Sequence, residues 1–433
     1  MKILWFTNTP CGSVRRYGGS SVSGGWLISL EDELKKNPKV DLHVAYFAPQ
    51  KEIPFKYEGV TYYPMGYERK KNSIERILYR RKSITKIDKE RLPWMLDVIE
   101  QCQPDIIHIH GSEDSFITIL PHIKNIPVVV SIQGMIAPIC EKYFSGISDR
   151  VAMKNESFRD MLHSETVKIQ FKSLYNRARR EEQYMQQVKY IIGRTFLDEN
   201  YTSLLNPDRK YFVVNEIIRP EFYNVQWKGF INPTQVNLVS TISGAIYKGI
   251  ETILKSANLL KKYYKNKFEW HIVGYDAQSK WVKVAEKMTG IQIENCNLVF
   301  HGRMDAHALS NLLSDSDIYV NASHIENSPN SVCEAMLVGM PIIATYAGGT
   351  ASLLTHEEDG ILVQDGDPYA MAGAIVNFVK HKDKAEQYAD SARRKAVERH
   401  APSRILKDLI NCYQLIIDDF TKEGMCLNKG KEA

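Results

Sequence analysis

The feature that most constrains this chain is a rhythm of short apolar runs and amphipathic stretches that plays through once, breaks, and starts again. Ile3–Thr7, Leu42–Phe47, Ile106–His110, Val128–Ile132 and Tyr190–Ile192 read as strands. Between them Glu31–Lys36, Trp94–Cys102 and Asp114–His122 have helical spacing. Such alternation predicts a parallel sheet covered by helices. The rhythm fails between Ile218 and Thr234, where Pro220, Gly229 and Pro233 interrupt a polar, aromatic stretch. It then restarts, with strands expected at Val236–Ile242, Glu269–Val273, Leu298–His301, Ile318–Asn321 and Pro341–Thr345. Helices are expected at Glu251–Tyr264, Lys280–Met288, Ala306–Leu313 and Ser331–Val338.

Two successive units of this kind predict an α/β chain of two Rossmann-like domains facing an interdomain cleft, with ligands outside the C-terminal ends of the strands. The length of 433 residues suits two cores of about 200 residues each. The expected division is a first domain at 1–218, a linker at 219–234 and a second domain at 235–400. A helix at 401–422 is expected to cross back toward the first domain, ahead of a frayed tail at 423–433.

A net charge of +5 is too mild to argue for nucleic acid. The seven cysteines are scattered and form no CxxC pair, which argues against a disulfide framework or a zinc site and fits a reducing, cytoplasmic compartment. No run approaches the roughly 18 apolar residues that span a membrane.

The segment His324–Met336 carries the chemistry. Glu326 stands in a loop after a strand, and Glu334 is expected on the first turn of the following helix, where a carboxylate can accept both hydroxyls of a ribose. Their spacing alone says nothing. Asn330 and Ser331, however, fall where that helix begins, so its free N–H groups and dipole favour a diphosphate. Gly348-Gly349-Thr350, after the next strand, offers a second close backbone approach. These residues together suit a nucleoside diphosphate.

The string from Glu326 through Glu334-Ala335-Met336, Gly339-Met340-Pro341-Ile342-Ile343-Ala344-Thr345 and Gly348-Gly349 resembles the signature of the group 1 retaining glycosyltransferases. The resemblance covers nearly the whole chain and is densest in its second half. It implies the GT-B fold, with Glu326 beside the donor sugar and Glu334 on the ribose. It also implies that Lys248 of the Lys248-Gly249 pair neutralises the diphosphate. A fixed cation there stabilises the charge that grows on the leaving group. Ser243 and Gly244 belong to the same loop. Ser243 stands where the family pattern has an arginine, and Arg303, after the His301-Gly302 turn, is a substitute cation.

In the first half, the glycine-rich loop with Gly24 and Gly25 resembles the family's first loop. Gln133 stands where the family often has a histidine; it can hydrogen-bond but cannot take a proton at neutral pH. The His108/His110 pair and the Asp315-Ser316-Asp317 turn each mimic a metal motif. Packing and turn capping account for them better, so no metal and no cofactor are expected.

Two basic stretches, Arg69–Arg91 and Lys168–Lys189, read either as solvated helix faces or as contacts with anionic lipid on the inner face of a membrane. The expected activity is that of a retaining glycosyltransferase, a hexosyltransferase moving a sugar from a nucleoside diphosphate to a hydroxyl of a carbohydrate or lipid-linked acceptor. Surface polysaccharide or glycolipid assembly is the expected pathway. The same donor site also suits a sugar-nucleotide epimerase, or a catalytically weak nucleotide-sugar-binding protein.

Overall fold

The computed structural model describes residues 1–18, 25–68, 75, 78–79, 82–163, 165–264 and 266–429. They form two compact units, each made from separate pieces of chain. The first comprises Met1–Ala137, Lys172–Ile217 and His400–Ala433; the second comprises Pro138–Phe171 and Ile218–Arg399.

The first unit holds strands β1 (Lys2–Thr7), β2 (Asp41–Phe47), β3 (Phe55–Tyr57), β4 (Val60–Met65), β5 (Ile106–His110), β6 (Val128–Ser131), β7 (Tyr190–Gly193) and β8 (Lys210–Val213). Their order in the sheet is β3-β4-β2-β1-β5-β6-β7-β8, and every pairing is parallel except the β3–β4 hairpin. Strands buried on both faces need apolar side chains on both, so β1, β6 and β7 appear in the sequence as near-continuous apolar runs, and β5 as one interrupted by the buried His108 and His110. The pleat sends alternate residues of β1 to opposite sides. Ile3 and Trp5 pack with Leu27 and Leu30 of the helix Gly25–Leu34 and with Ile405, Leu409 and Tyr413 of the helix Pro402–Lys429. Leu4 and Phe6 pack on the other side with Met95 and Ile99 of the helix Ile84–Cys102 and with Phe116.

The second unit has β9 (Gln235–Thr241), β10 (Lys267–Val273), β11 (Leu298–Gly302), β12 (Ile318–Asn321), β13 (Ile342–Thr345) and β14 (Ile361–Val363), in the order β11-β10-β9-β12-β13-β14. All are parallel. The helix Asn330–Val338 buries Val332, Ala335 and Met336 against Val239, Tyr319 and Ile342. The helix Ile250–Tyr263 buries Ile250, Ile253, Leu254, Ala257 and Leu260.

Several boundaries differ from the sequence expectation. Residues 219–234 are packed into the second unit rather than left as a spacer. The Trp227 amide donates to Val338 O at 2.8 Å, its indole N–H donates to Ser316 O at 2.8 Å, and Phe222 is fully buried. Pro138–Phe171, an excursion between β6 and β7, belongs with the second unit. It contributes the short helices Asp149–Lys154 and Phe158–Leu162, and is tied in by Lys280 to Asp160 at 2.8 Å. The last helix runs through 423–429, beyond the expected start of the tail. Asp114–His122 is a 3-10 turn over Ser115–His122, with Asp114 as its N-cap and Pro121 inside. Among the described residues no helix is long and apolar enough to cross a membrane.

Candidate functional site

In the second sheet the chain leaves β9 toward β10 on one side, and returns to β12 on the other. The C-terminal ends of β9 and β12 are therefore a switch point, where two loops part and leave room for a ligand. Ser243 and Gly244 follow β9 and are exposed. The chain then turns through Gly249, whose φ is +76°. A Cβ on Gly249 would lie 1.9 Å from the carbonyl oxygen of Ala322, so only glycine lets this turn press against the end of β12. The His324 amide donates to Tyr247 O at 2.9 Å and ties the two loops together.

That contact brings Lys248 and Glu326 into register, with Lys248 Nζ 2.6 Å from Glu326 Oε1. The side chains are 18% and 11% exposed, so the pair is sheltered yet reachable. Burial pulls the Lys248 ammonium down, but the Glu326 charge, the Tyr247 phenol and the hydrogen bond to Glu326 together outweigh it and the net shift is upward. Glu326 is also held through its backbone, its carbonyl accepting the Gly349 amide at 2.9 Å. Lys248, Glu326 and the Gly348-Gly349 turn thus meet.

The helix Asn330–Val338 begins after Pro329 with no side-chain cap. Its first amides are left to whatever lies ahead of them. Asn330 Oδ1 is buried without a hydrogen-bond partner among the described residues, and Ser331 follows it on the first turn. Glu334 is the fifth residue of this helix, just past the first turn where it was expected, because the helix starts one residue earlier than Ser331. Its carboxylate is already engaged by Arg219, whose Nη2 and Nε donate to Oε1 at 2.6 and 3.1 Å. Burial raises the Glu334 pKa and Arg219 partly offsets that rise. Arg219 escaped sequence analysis because it lies just before Pro220, in the stretch taken for a linker.

Gly302 and Arg303 end the edge strand β11, separated from β9 by β10. Gly302 is occupied in backbone bonds to Tyr275 and Gly274, while Arg303 is exposed and makes no ion pair among the described residues. His324 has a supporting place beneath the loop. Its Nε2 is 2.7 Å from Glu251 Oε1, and its Nδ1 is 3.3 Å from Asp365 Oδ2. Burial lowers the His324 pKa, but the two carboxylates raise it further, so the net shift is upward. The excursion reaches this pair: a Cβ on Gly146 would come within 2.2 Å of Glu251 Oε1.

In the first sheet the corresponding switch point lies between β1 and β5. Gly24 lies outside the described residues, and Gly25 opens the helix Gly25–Leu34. Gln133 follows β6, and its Oε1 lies 3.5 Å from Asn8 Nδ2 at the end of β1. The same Asn8 nitrogen donates to Glu113 Oε1 at 2.9 Å. Neither Asn8 nor Glu113 carried a signal in the sequence, because strand pairing alone joins them.

His108 is accounted for by packing. Its Nδ1 is 2.6 Å from Tyr413 Oη, its Nε2 meets Ser131, and burial drives its pKa down to about 3. His110 stacks on it at 3.8 Å. Asp317 accepts the Asn237 amide at 2.6 Å and Asp315 pairs with Lys228, as turn residues do. Of the basic stretches, residues 69–74, 76–77 and 80–81 lie outside the described residues, and Arg180 is buried on Asp88 at 2.7 Å.

Residues 236–381 match the family model for glycosyl transferases group 1. An uncharacterized glycosyltransferase of Methanocaldococcus jannaschii is 22% identical over 76% of this chain and 80% of its own length. The amylovoran biosynthesis glycosyltransferase AmsK of Erwinia amylovora is 25% identical over 40% of this chain. There the chain spans less than half the relative's length, 42%. Among solved structures, sucrose-phosphate synthase of Thermosynechococcus elongatus superposes with a TM-score of 0.71 at 14% identity, over 96% of this chain and 99% of that one. Anabaena HepE, in complex with UDP and glucose, gives 0.63 at 16% identity, over 95% and 98%. Residues 236–381 thus carry the group 1 glycosyltransferase match, and the two sheets, with the switch-point pair and the signature loop in place, give the chain the GT-B fold, similar to that of glycosyltransferases.

Proposed function

We propose that this protein transfers a sugar from a nucleoside diphosphate to a hydroxyl acceptor with retention at the anomeric carbon. The observation that carries the reading is the Lys248–Glu326 pair, 2.6 Å apart at the β9/β12 switch point beside an uncapped helix start. A diphosphate there meets Lys248, the backbone around Ser243 and Gly244, and the amides of Asn330 and Ser331. Glu326 faces the sugar, and Glu334, braced by Arg219, takes the ribose. UDP and glucose in the HepE complex support a nucleoside diphosphate as the ligand class.

In the reaction the bond from the anomeric carbon to the phosphate oxygen breaks as the acceptor oxygen bonds to that carbon. The acceptor proton passes to the departing phosphate oxygen. The transition state is oxocarbenium-like, and Lys248 with the helix start stabilises the charge growing on the leaving group. No metal or cofactor takes part in this scheme.

AmsK supports polysaccharide or glycolipid assembly as the setting. In that setting the acceptor is a carbohydrate or a lipid-linked glycan. The protein works in the cytoplasm, with peripheral contact to anionic lipid through exposed basic residues such as Lys168 and Lys172. Incubation with a panel of nucleotide sugars, with and without glycoside acceptors, tests the reading. Acceptor-dependent release of diphosphate and an unchanged anomeric configuration in the product are expected. Isomerised donor without acceptor would instead establish an epimerase.

A further inference from the structure

The first unit presents one carboxyl group that its own packing leaves unfinished. Glu113 stands just past β5, at the switch point of the first sheet. Its Oε1 accepts from Asn8 at 2.9 Å, while its Oε2 is buried with no hydrogen-bond partner among the described residues. A buried carboxylate oxygen without a donor is costly, and a fold retains one where something else supplies the donor.

The surroundings hold Glu113 in this state. Gly111 has φ +96°, and a Cβ there would fall 2.2 Å from Glu113 Oε2, so the glycine makes room for the carboxyl to fold back. Arg180 donates to the Glu113 carbonyl at 2.7 Å and fixes the backbone, but its guanidinium pairs with Asp88 rather than with the Glu113 carboxylate. The neighbouring Glu181 makes the contrast plain. It is more deeply enclosed, and its fold supplies the donors: the amide of Ile136 at 2.8 Å, the hydroxyl of Tyr201 at 3.2 Å and the hydroxyl of Ser112. Glu181 is a finished structural carboxylate, whereas Glu113 is not.

We infer that Glu113 is an acceptor-binding residue, whose Oε2 accepts a hydrogen bond from a hydroxyl of the incoming sugar while Asn8 holds Oε1 and Gln133 completes the polar edge. The inference rests on the transfer reading above and adds to it the group that selects a polyhydroxylated acceptor. Burial pushes the Glu113 carboxyl up to about 7, its own amide opposing. The charges of Glu181 and Asp114 add to the rise and that of Arg177 reduces it. His110 stays neutral, because burial holds its pKa well below the ordinary value. Glu113 therefore ionises across neutrality, and the ionised form accepts the stronger hydrogen bond.

The test uses the full chain with the donor that the panel identifies, and a set of free and n-octyl glucosides, galactosides and N-acetylglucosaminides as acceptor probes. Glu113→Ala is expected to raise the acceptor KM about tenfold, the loss of one hydrogen bond to a charged group. The donor KM and the rise in melting temperature with UDP should stay as in the wild type. Wild-type kcat/KM for the acceptor should climb through pH about 7, and Glu113→Gln should flatten that climb. An acceptor KM and pH profile unaltered in both variants would overturn the inference while leaving transfer intact. Equal damage to donor KM, acceptor KM and melting temperature would mark Glu113 as merely structural. A wild type that turns over no donor with any acceptor would remove the transfer reading itself, and this inference with it.

Discussion

Because Lys248 already has an anionic partner, a diphosphate arriving at the β9/β12 switch point must compete with Glu326 for the same ammonium. Replacing that partner by an uncharged isostere, Glu326→Gln, should therefore tighten the binding of UDP even as it impairs transfer. Two unit charges about 4 Å apart attract by about 4 kcal/mol at an effective dielectric of about 20. Screening through the side chains' 18% and 11% exposure, and the hydrogen bond that Gln keeps, lower the net competition to roughly 1.5 kcal/mol. That is about tenfold in Kd. On the proposed reading Glu326 stands beside the reacting sugar, so transfer should fall about a hundredfold. Titration calorimetry with UDP measures the first effect and donor turnover the second. Lys248→Met should weaken UDP, and in Lys248→Met/Glu326→Gln the gain should vanish, since the ammonium that Glu326 shields is no longer there. A Glu326→Gln protein that folds normally yet binds UDP no better than the wild type would refute the competition, and with it the placing of Lys248 on the diphosphate.

Three further outcomes follow from neighbouring contacts. Gly249→Ala puts a side chain at φ +76° against Ala322 O; the backbone conformation alone costs about 1–2 kcal/mol, so chemical denaturation should show at least that loss, with weaker UDP binding. Arg219→Ala leaves the Glu334 carboxylate buried without its cation and should cost about 3 kcal/mol in the same measurement, whereas Arg219→Ala/Glu334→Gln should recover part of it. The His324–Glu251 pair should give a pH-dependent stability. The His324 pKa is raised, so its contribution is full below about 6.5 and lost as pH rises through the folded value. The Glu251 pKa is lowered, so its contribution is lost only as pH falls through a value below about 4.5. The melting-temperature gap between wild type and His324→Gln should thus be widest near pH 5–6 and narrow toward pH 9; a constant gap would refute the ion pair.

Much of the fold was legible because parallel strands buried on both faces have to be continuous apolar runs. Ile3–Thr7 and Val128–Ile132 announce themselves in that way, and Ile106–His110 does so despite its two histidines. Helix starts were less legible. The helix that opens at Gly25 shows helical spacing clearly only over Glu31–Lys36, since a glycine-rich loop gives no periodic signal before it. Periodicity also says which face of a helix is buried but not which sheet buries it, so nothing marked Pro138–Phe171 as part of the second unit. In the site, Lys248 and Glu326 were recognisable because each sits in a compact local motif. Arg219 and Glu113 were not, because their partners Glu334 and Asn8 are distant along the chain and meet them only through the fold. Arg303, suggested as a replacement cation, ends an edge strand instead of the switch point, a difference that strand order alone decides.

The interleaving of the two units has a consequence for how the molecule is made. Trp5 donates its indole N–H to Tyr413 at 3.0 Å, across 408 positions of sequence, and Ile405, Leu409 and Ile416 share that core. On a ribosome the strand that begins the first sheet waits through those 408 positions before its last apolar cover emerges. The second unit, whose latest residue is Arg399, has all its parts earlier. Synthesis order and folding order are thus reversed: the half begun first is the half finished last. An open apolar sheet face during that interval is a binding site for a chaperone and a nucleus for aggregation.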